Sequence, residues 1–172
     1  MASALYGIVD TARDRGLYER VAATLEHVCL FAGELPAPLR RTAPYLVNLS
    51  RNPDFVALWR RQWGQSWGIL CASPADLVAL RRHFRRFLQA KLPDGSVVLF
   101  RFYDPRVLRA YLPSCEAAQL RAWFACVDAF RVETDRGGTL LARLEADRLD
   151  VQEQPPTARP PATADRLGLV VP

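Results

Sequence analysis

The side chains best placed to do chemistry lie in one segment, FRFYDPRVLR, from Phe100 to Arg109. Arg101 interrupts an otherwise apolar run, Val97, Val98, Leu99, Phe100, Phe102 and Tyr103, and Asp104 follows three residues later. A guanidinium set into a covered strand requires a partner, because an unpaired buried charge costs several kcal/mol. Asp104 is the nearest carboxylate, so one reading is an Arg101–Asp104 pair that pins a strand to the helix after it. The other reading is recognition: Arg101, Arg106 and Arg109, presented beside Tyr103, offer forked donors to the carboxylates or carbonyls of a partner. A second cationic cluster, Arg81, Arg82, Arg85 and Arg86, with His83 at its edge, lies in LRRHFRRFL, Leu80 to Leu88. It suits a phosphate backbone, an acidic protein segment or plain solvation, and the stretch lacks interleaved exposed aromatics for base stacking.

Little else in the chain points to catalysis. There is no HExxH, Gly-rich phosphate loop or Walker lysine, and Lys91 is the single lysine. The two histidines, His27 and His83, are far apart, and the four cysteines, Cys29, Cys71, Cys115 and Cys126, form no CxxC or Cys/His cluster. No spacing favours Cys29 with His83 as a nucleophile pair. The expectation is a non-catalytic chain without cofactor or metal. A small enzyme built on Arg101 and Asp104 would differ by having both groups line a concave pocket.

These groups must be positioned by a chain of 172 residues, half of them hydrophobic, which is enough for one ordinary domain. The net charge of +5 and pI near 9.4 invite a nucleic-acid reading. Yet the basic residues are nearly all arginine and, outside the 81–86 cluster, mostly interleaved with acids. No apolar run approaches the ~20 residues of a membrane span, and no basic leader precedes a long apolar stretch. A reducing cytoplasm is expected.

Alternating short strand and helix signals predict an α/β (mixed α+β) fold, one mixed sheet of about five to seven strands with helices packed on it. Strands are expected at Leu5–Val9, His27–Phe31, Tyr45–Leu49, Ile69–Cys71, Val97–Tyr103, Val127–Val132 and Thr139–Leu144. The Val97–Tyr103 strand follows a Pro93-Asp94-Gly95 turn and is expected to be covered on both faces. Helices are expected over Asp14–Leu25, from the Asn52-Pro53 start, from Ser73-Pro74 to Leu88, from the Asp104-Pro105 start to Pro113, and from Ser114. Trp63 to Gly68, WGQSWG, reads as a tight helix-to-strand junction whose glycines let backbone approach the indoles, with core packing and an aromatic partner patch as its two roles. Asp135 to Gly138 reads as a hairpin turn. Residues 1–150 form the domain, and the Pro/Ala-rich tail, 151–172, is expected to be disordered, with Leu167–Val171 as a docking strand at most.

Taken together, FRFYDPRVL, the preceding LPDG and the LRRHFRRFL helix resemble the Tap/Tec-type effector chaperone, or adaptor, domain of bacterial type VI secretion. YGIVDTARD (Tyr6–Asp14), EHVCLFAGE (Glu26–Glu34), APYLVNL (Ala43–Leu49) and WGQSWGIL (Trp63–Leu70) stand in the same order, and the likeness covers about residues 4–132. The resemblance implies a cytoplasmic protein that binds a secreted toxic effector, commonly encoded nearby, and helps load it onto the VgrG spike without travelling itself. No membrane or nucleic-acid partner is implied. Residues 133–150 would be a variable part that tunes partner choice. On this reading Arg101, Tyr103, Asp104, Arg106, Arg109, Arg82, Arg85 and Arg86 are the candidate partner-binding residues, and the alternative is a basic nucleic-acid-binding module using the Arg81–Arg86 face.

Overall fold

The computed structural model describes residues 3–156. Chain order is β1 (Ala4–Asp10), α1 (Leu17–Ala22), β2 (His27–Cys29), α2 (Ala37–Arg40), β3 (Pro44–Asn48), α3 (Pro53–Arg61), β4 (Gly68–Ser73) and α4 (Leu77–Arg85). Then come β5 (Gln89–Lys91), β6 (Val97–Leu99), α5 (Pro105–Tyr111), α6 (Ala117–Trp123), β7 (Ala129–Glu133), β8 (Thr139–Glu145) and β9 (Arg148–Gln154). Seven strands form one sheet in the order β2-β3-β1-β4-β7-β8-β9, and β5 and β6 form a separate two-stranded hairpin.

The sheet falls in the expected size range but is antiparallel throughout rather than mixed. β1 is flanked by β3 and β4, each antiparallel to it, so no connection makes the crossover that parallel pairing needs. The period-two alternation of β1 divides its side chains between two cores. Tyr6 and Ile8 join Leu46, Ile69, Cys71 and Phe130 under α4, α5 and α6. Leu5 and Val9 join Tyr45, Val47 and Trp67 under α1 and α3, with Leu17, Val21, Phe55, Val56 and Trp59. Covering both faces explains why β1 and β3 read as continuous apolar runs rather than alternating ones.

Trp59 crosses directly over Gly7. A Cβ there would stand 2.3 Å from the indole, so this glycine admits the ring. In WGQSWG the tight approach is different: a Cβ on Gly68 would lie 1.9 Å from the Ile8 carbonyl oxygen, a backbone contact rather than an indole one. Trp67 is buried in the core, whereas Trp63 is partly exposed and donates its indole N–H to the Gly138 carbonyl at 3.2 Å.

Several boundaries move. α4 is capped by Asp76, which accepts from the Ala79 N–H at 2.7 Å, while Ser73 ends β4 and takes the Ala75 N–H. α6 starts at a Glu116–Gln119 capping box rather than at Ser114. α4 ends at Arg85, and Gln89–Lys91 turns extended. β9 continues to Gln154, so residues 151–154 of the expected tail are a strand. The rest of that tail from 157, including Leu167–Val171, lies outside the described residues.

Candidate functional site

The turn before β6 forms as its residues dictate. Gly95, at φ 86°, donates to the Leu92 carbonyl at 2.9 Å, and Asp94 accepts from the Ser96 N–H and hydroxyl at 2.9 and 2.6 Å. The strand after it corrects the expectation of a covered Val97–Tyr103 run. β6 is three residues long, pairs among the described residues only with β5, and leaves Val97, Val98 and Leu99 at 60, 39 and 50 % exposure. The ladder ends where Phe100 donates to the Leu88 carbonyl at 2.8 Å. Beyond it the chain turns inward, and Phe102 and Tyr103 are buried without strand geometry. Phe102 stacks on Phe84 at 5.7 Å and meets Trp123 edge-on at 5.2 Å. An apolar run thus serves two environments, an exposed hairpin and an aromatic core, and periodicity does not tell them apart.

Arg101 pairs with Asp10 rather than Asp104, its terminal nitrogen lying 2.5 Å from the carboxylate. Asp10 ends β1, is 1 % exposed and also accepts from the Ala12 N–H at 3.2 Å. The guanidinium carbon of Arg101 sits 5.9 Å from the Tyr103 ring centroid. Burial, above all, raises the Tyr103 phenol pKa to about 12, so the ring stays neutral.

Asp104 instead faces its own helix. It caps α5 by accepting the Arg106 N–H at 3.0 Å and takes a bidentate pair from the Arg106 guanidinium at 2.9 and 2.6 Å. Burial pushes the Asp104 carboxyl pKa up, but the Arg106 hydrogen bonds outweigh it and the net shift is downward. Arg109 donates to the Glu133 carbonyl at 2.7 Å and pairs with Asp135 in the β7–β8 turn. Glu133 in turn accepts the Gly64 and Ser66 N–H groups at 2.7 and 2.5 Å, tying the WGQSWG loop to the same turn. Each of the three arginines flagged around Tyr103 is therefore held within the fold.

On α4 the cluster divides. Arg81 donates to the carbonyls of Cys29 and Phe31 at 2.8 and 3.1 Å, binding the helix to the segment of β2. His83 is buried, not at an edge: its Nε2 faces the Trp123 carbonyl at 3.0 Å and its Nδ1 faces Arg86 at 2.9 Å. Because Arg86 has only protons to give, Nδ1 is the acceptor and Nε2–H donates. Burial first, and the neighbouring Arg86 after it, hold this imidazole below its ordinary pKa, opposed by the Trp123 carbonyl. Arg82 and Arg85 remain, both exposed, beside an open groove of about 350 Å³ lined also by Val28, Leu77, Val78 and Arg81. A second groove of about 320 Å³ runs between Thr11–Glu19 and Arg41–Thr42.

Neither groove is lined by Arg101 or Asp104. Among the described residues no group of three or more His, Cys, Asp or Glu side chains could hold a metal, and no helix is long and apolar enough to cross a membrane. Sequence reasoning missed Asp10, Glu133 and the exposure of Val97–Leu99. Asp10 had a signal, an acid closing an apolar strand in YGIVD, which must find a cation if buried.

Compared with known proteins, residues 5–122 match the family model described as a domain of unknown function, DUF4123. No curated protein and no solved structure matches. The match runs from β1 into α6, so it contains the Asp10–Arg101 tie, the β5–β6 hairpin and α4, and leaves β7–β9 outside. The chain therefore belongs to the DUF4123 family, a domain of unknown function.

Proposed function

We propose that this protein is a cytoplasmic adaptor of the type VI secretion effector-chaperone kind, which binds a secreted effector and helps load it onto the VgrG spike. It does no chemistry of its own. The observation that carries this reading is the β5–β6 hairpin. Val97, Val98 and Leu99, with Leu92 beside them, put apolar side chains into solvent within the family-matched region, where an exposed apolar patch signals protein contact. The internal pairing of Arg101, Asp104, Arg106 and Arg109 fits the same view, since groups held in architecture are poor candidates for a reaction centre. The resemblance of FRFYDPRVL and its companion segments to the adaptor family supplies the identity of the partners.

The test is co-expression of the tagged full chain with the proteins encoded beside it, VgrG included, followed by affinity capture in 0.15 and 0.5 M salt. Retention of an effector at both salts, lost in V97D/L99D, is expected. Capture of neither an effector nor VgrG would overturn the adaptor reading.

A further inference from the structure

Arg82 and Arg85 lie one turn apart on α4, and among the described residues neither reaches a carboxylate within ion-pair distance. With Arg81 and Arg86 they crowd four cations onto two turns, an arrangement whose like-charge pairs at i,i+3 and i,i+4 oppose the helix. The groove beside them has an apolar floor. Of its lining residues Val78 is 67 % exposed, and Leu77 and Val28 are half-buried.

On the β2 edge next to these side chains, an added strand would have to compete with Arg81 for an acceptor. β2 gives its Leu30 N–H and Glu26 carbonyl neighbours to β3, so the Cys29 carbonyl points to the free side, where Arg81 takes it. An occupant that binds through side chains avoids that competition. A phosphate backbone would use the two cations and gain nothing from Val28, Leu77 and Val78, and of the segment's two phenylalanines Phe84 is buried and Phe87 is stacked on Trp123 at 3.9 Å rather than free for a base. Residues 157–172 of the chain do not complement the cluster either, since they carry Arg159 and Arg166 against Asp165.

We propose that this groove receives an acidic amphipathic segment of a partner protein, its apolar side chains against Leu77, Val78 and Val28 and its carboxylates on Arg82 and Arg85. That the partner is an effector or spike component rests on the adaptor reading; the chemistry of the segment does not.

The test is selection of random 15-residue peptides displayed on phage, using the full-length chain as bait. Peptides carrying Asp or Glu around apolar residues at helical spacing are expected. The best synthetic peptide, followed by fluorescence anisotropy, is expected to bind V78D and R82E/R85E at least about tenfold more weakly. Its Lys-for-Glu version is expected to recover affinity on R82E/R85E. All three positions are solvent-facing, and circular dichroism checks that the variants fold. Selected peptides without acidic residues, equal binding to the variants, or displacement of the peptide by a 20-nucleotide single strand would each overturn the proposal. Effector capture with the same variants separates the two readings: capture by wild type and variants alike sinks the groove and leaves the adaptor. Peptide binding without any effector capture does the reverse.

Discussion

Removing the Arg101 guanidinium leaves the Asp10 carboxylate buried at the end of β1, with the Ala12 N–H at 3.2 Å as its hydrogen-bond donor among the described residues. Breaking a buried ion pair from one side costs about 3–5 kcal/mol. Here the Arg101 side chain is 44 % exposed, so water enters where it stood and the expected loss for Arg101→Ala falls to about 2–3 kcal/mol. Asp10→Asn returns Arg101 to solvent and keeps a polar group for Ala12, so its expected loss is smaller, about 1–2 kcal/mol. The double variant should lose less than the sum, with a coupling of about 1 kcal/mol or more. Urea unfolding read by tryptophan fluorescence measures all four corners of this cycle, since Trp59, Trp67 and Trp123 are buried. A recognition role predicts the opposite pattern, with partner capture lost and stability kept. Arg101→Ala within about 0.5 kcal/mol of wild type, or a coupling indistinguishable from zero, would refute the architectural assignment.

Three further outcomes follow from the same physics. Gly68→Ala is expected to destabilise by at least about 3 kcal/mol, because the obstacle at 1.9 Å is the Ile8 backbone of the β1–β4 ladder and has no rotamer to change; a near-native melting temperature would contradict this. Ala146→Gly is expected to stabilise by somewhat less than about 1 kcal/mol, since φ 46° at Ala146 strains a side-chain-bearing residue by more than the flexibility glycine adds, and thermal unfolding decides it. His83, held below its ordinary pKa, takes up a proton in the unfolded chain before the folded one does. Stability is therefore expected to fall as pH drops through about 6.5, with a slope no steeper than about 1.4 kcal/mol per pH unit, and to level off below the folded pKa. That slope should be absent from the profile of His83→Gln.

Strands with local signals were legible and those without were not. β1, β3 and β4 announce themselves as apolar runs between turn residues, and their covered faces follow from the runs being unbroken. β9 is hidden because its hairpin turn is Ala146-Asp147, both at positive φ, in place of the Asn-Gly or Asp-Gly that marks such turns. β5 is hidden because Gln89-Ala90-Lys91 has no strand propensity of its own and is extended only through pairing with β6. Within the candidate site the cations were found and their partners were not. Asp104 is nearer to Arg101 in sequence, but its cap geometry turns it toward Arg106, and the carboxylate that answers Arg101 is 91 positions away. Spacing along a chain reports contacts within one element; contacts between elements depend on a sheet order the residues do not spell out.

The division of labour among the arginines bears on where a partner can dock. Arg101 joins the post-hairpin segment to β1, Arg109 joins α5 to the β7–β8 turn, and Arg81 joins α4 to β2, so three cations fasten peripheral elements to three separate parts of one sheet. With Arg81 engaged, the α4 cluster leaves Arg82 and Arg85 facing solvent, and Val78 and the Val97–Leu99 stretch are among the exposed apolar side chains. An exposed hairpin of Val97, Val98 and Leu99 would invite self-association if it were long and flat. It is three residues long, and its other strand carries Gln89 and Lys91, which limits edge pairing between copies and leaves the side chains available to a partner that contributes its own complementary apolar face. If both surfaces dock a partner as proposed, the Arg81 and Arg101 ties to one sheet would present them together, so a partner engaging both would gain affinity without having to order either one.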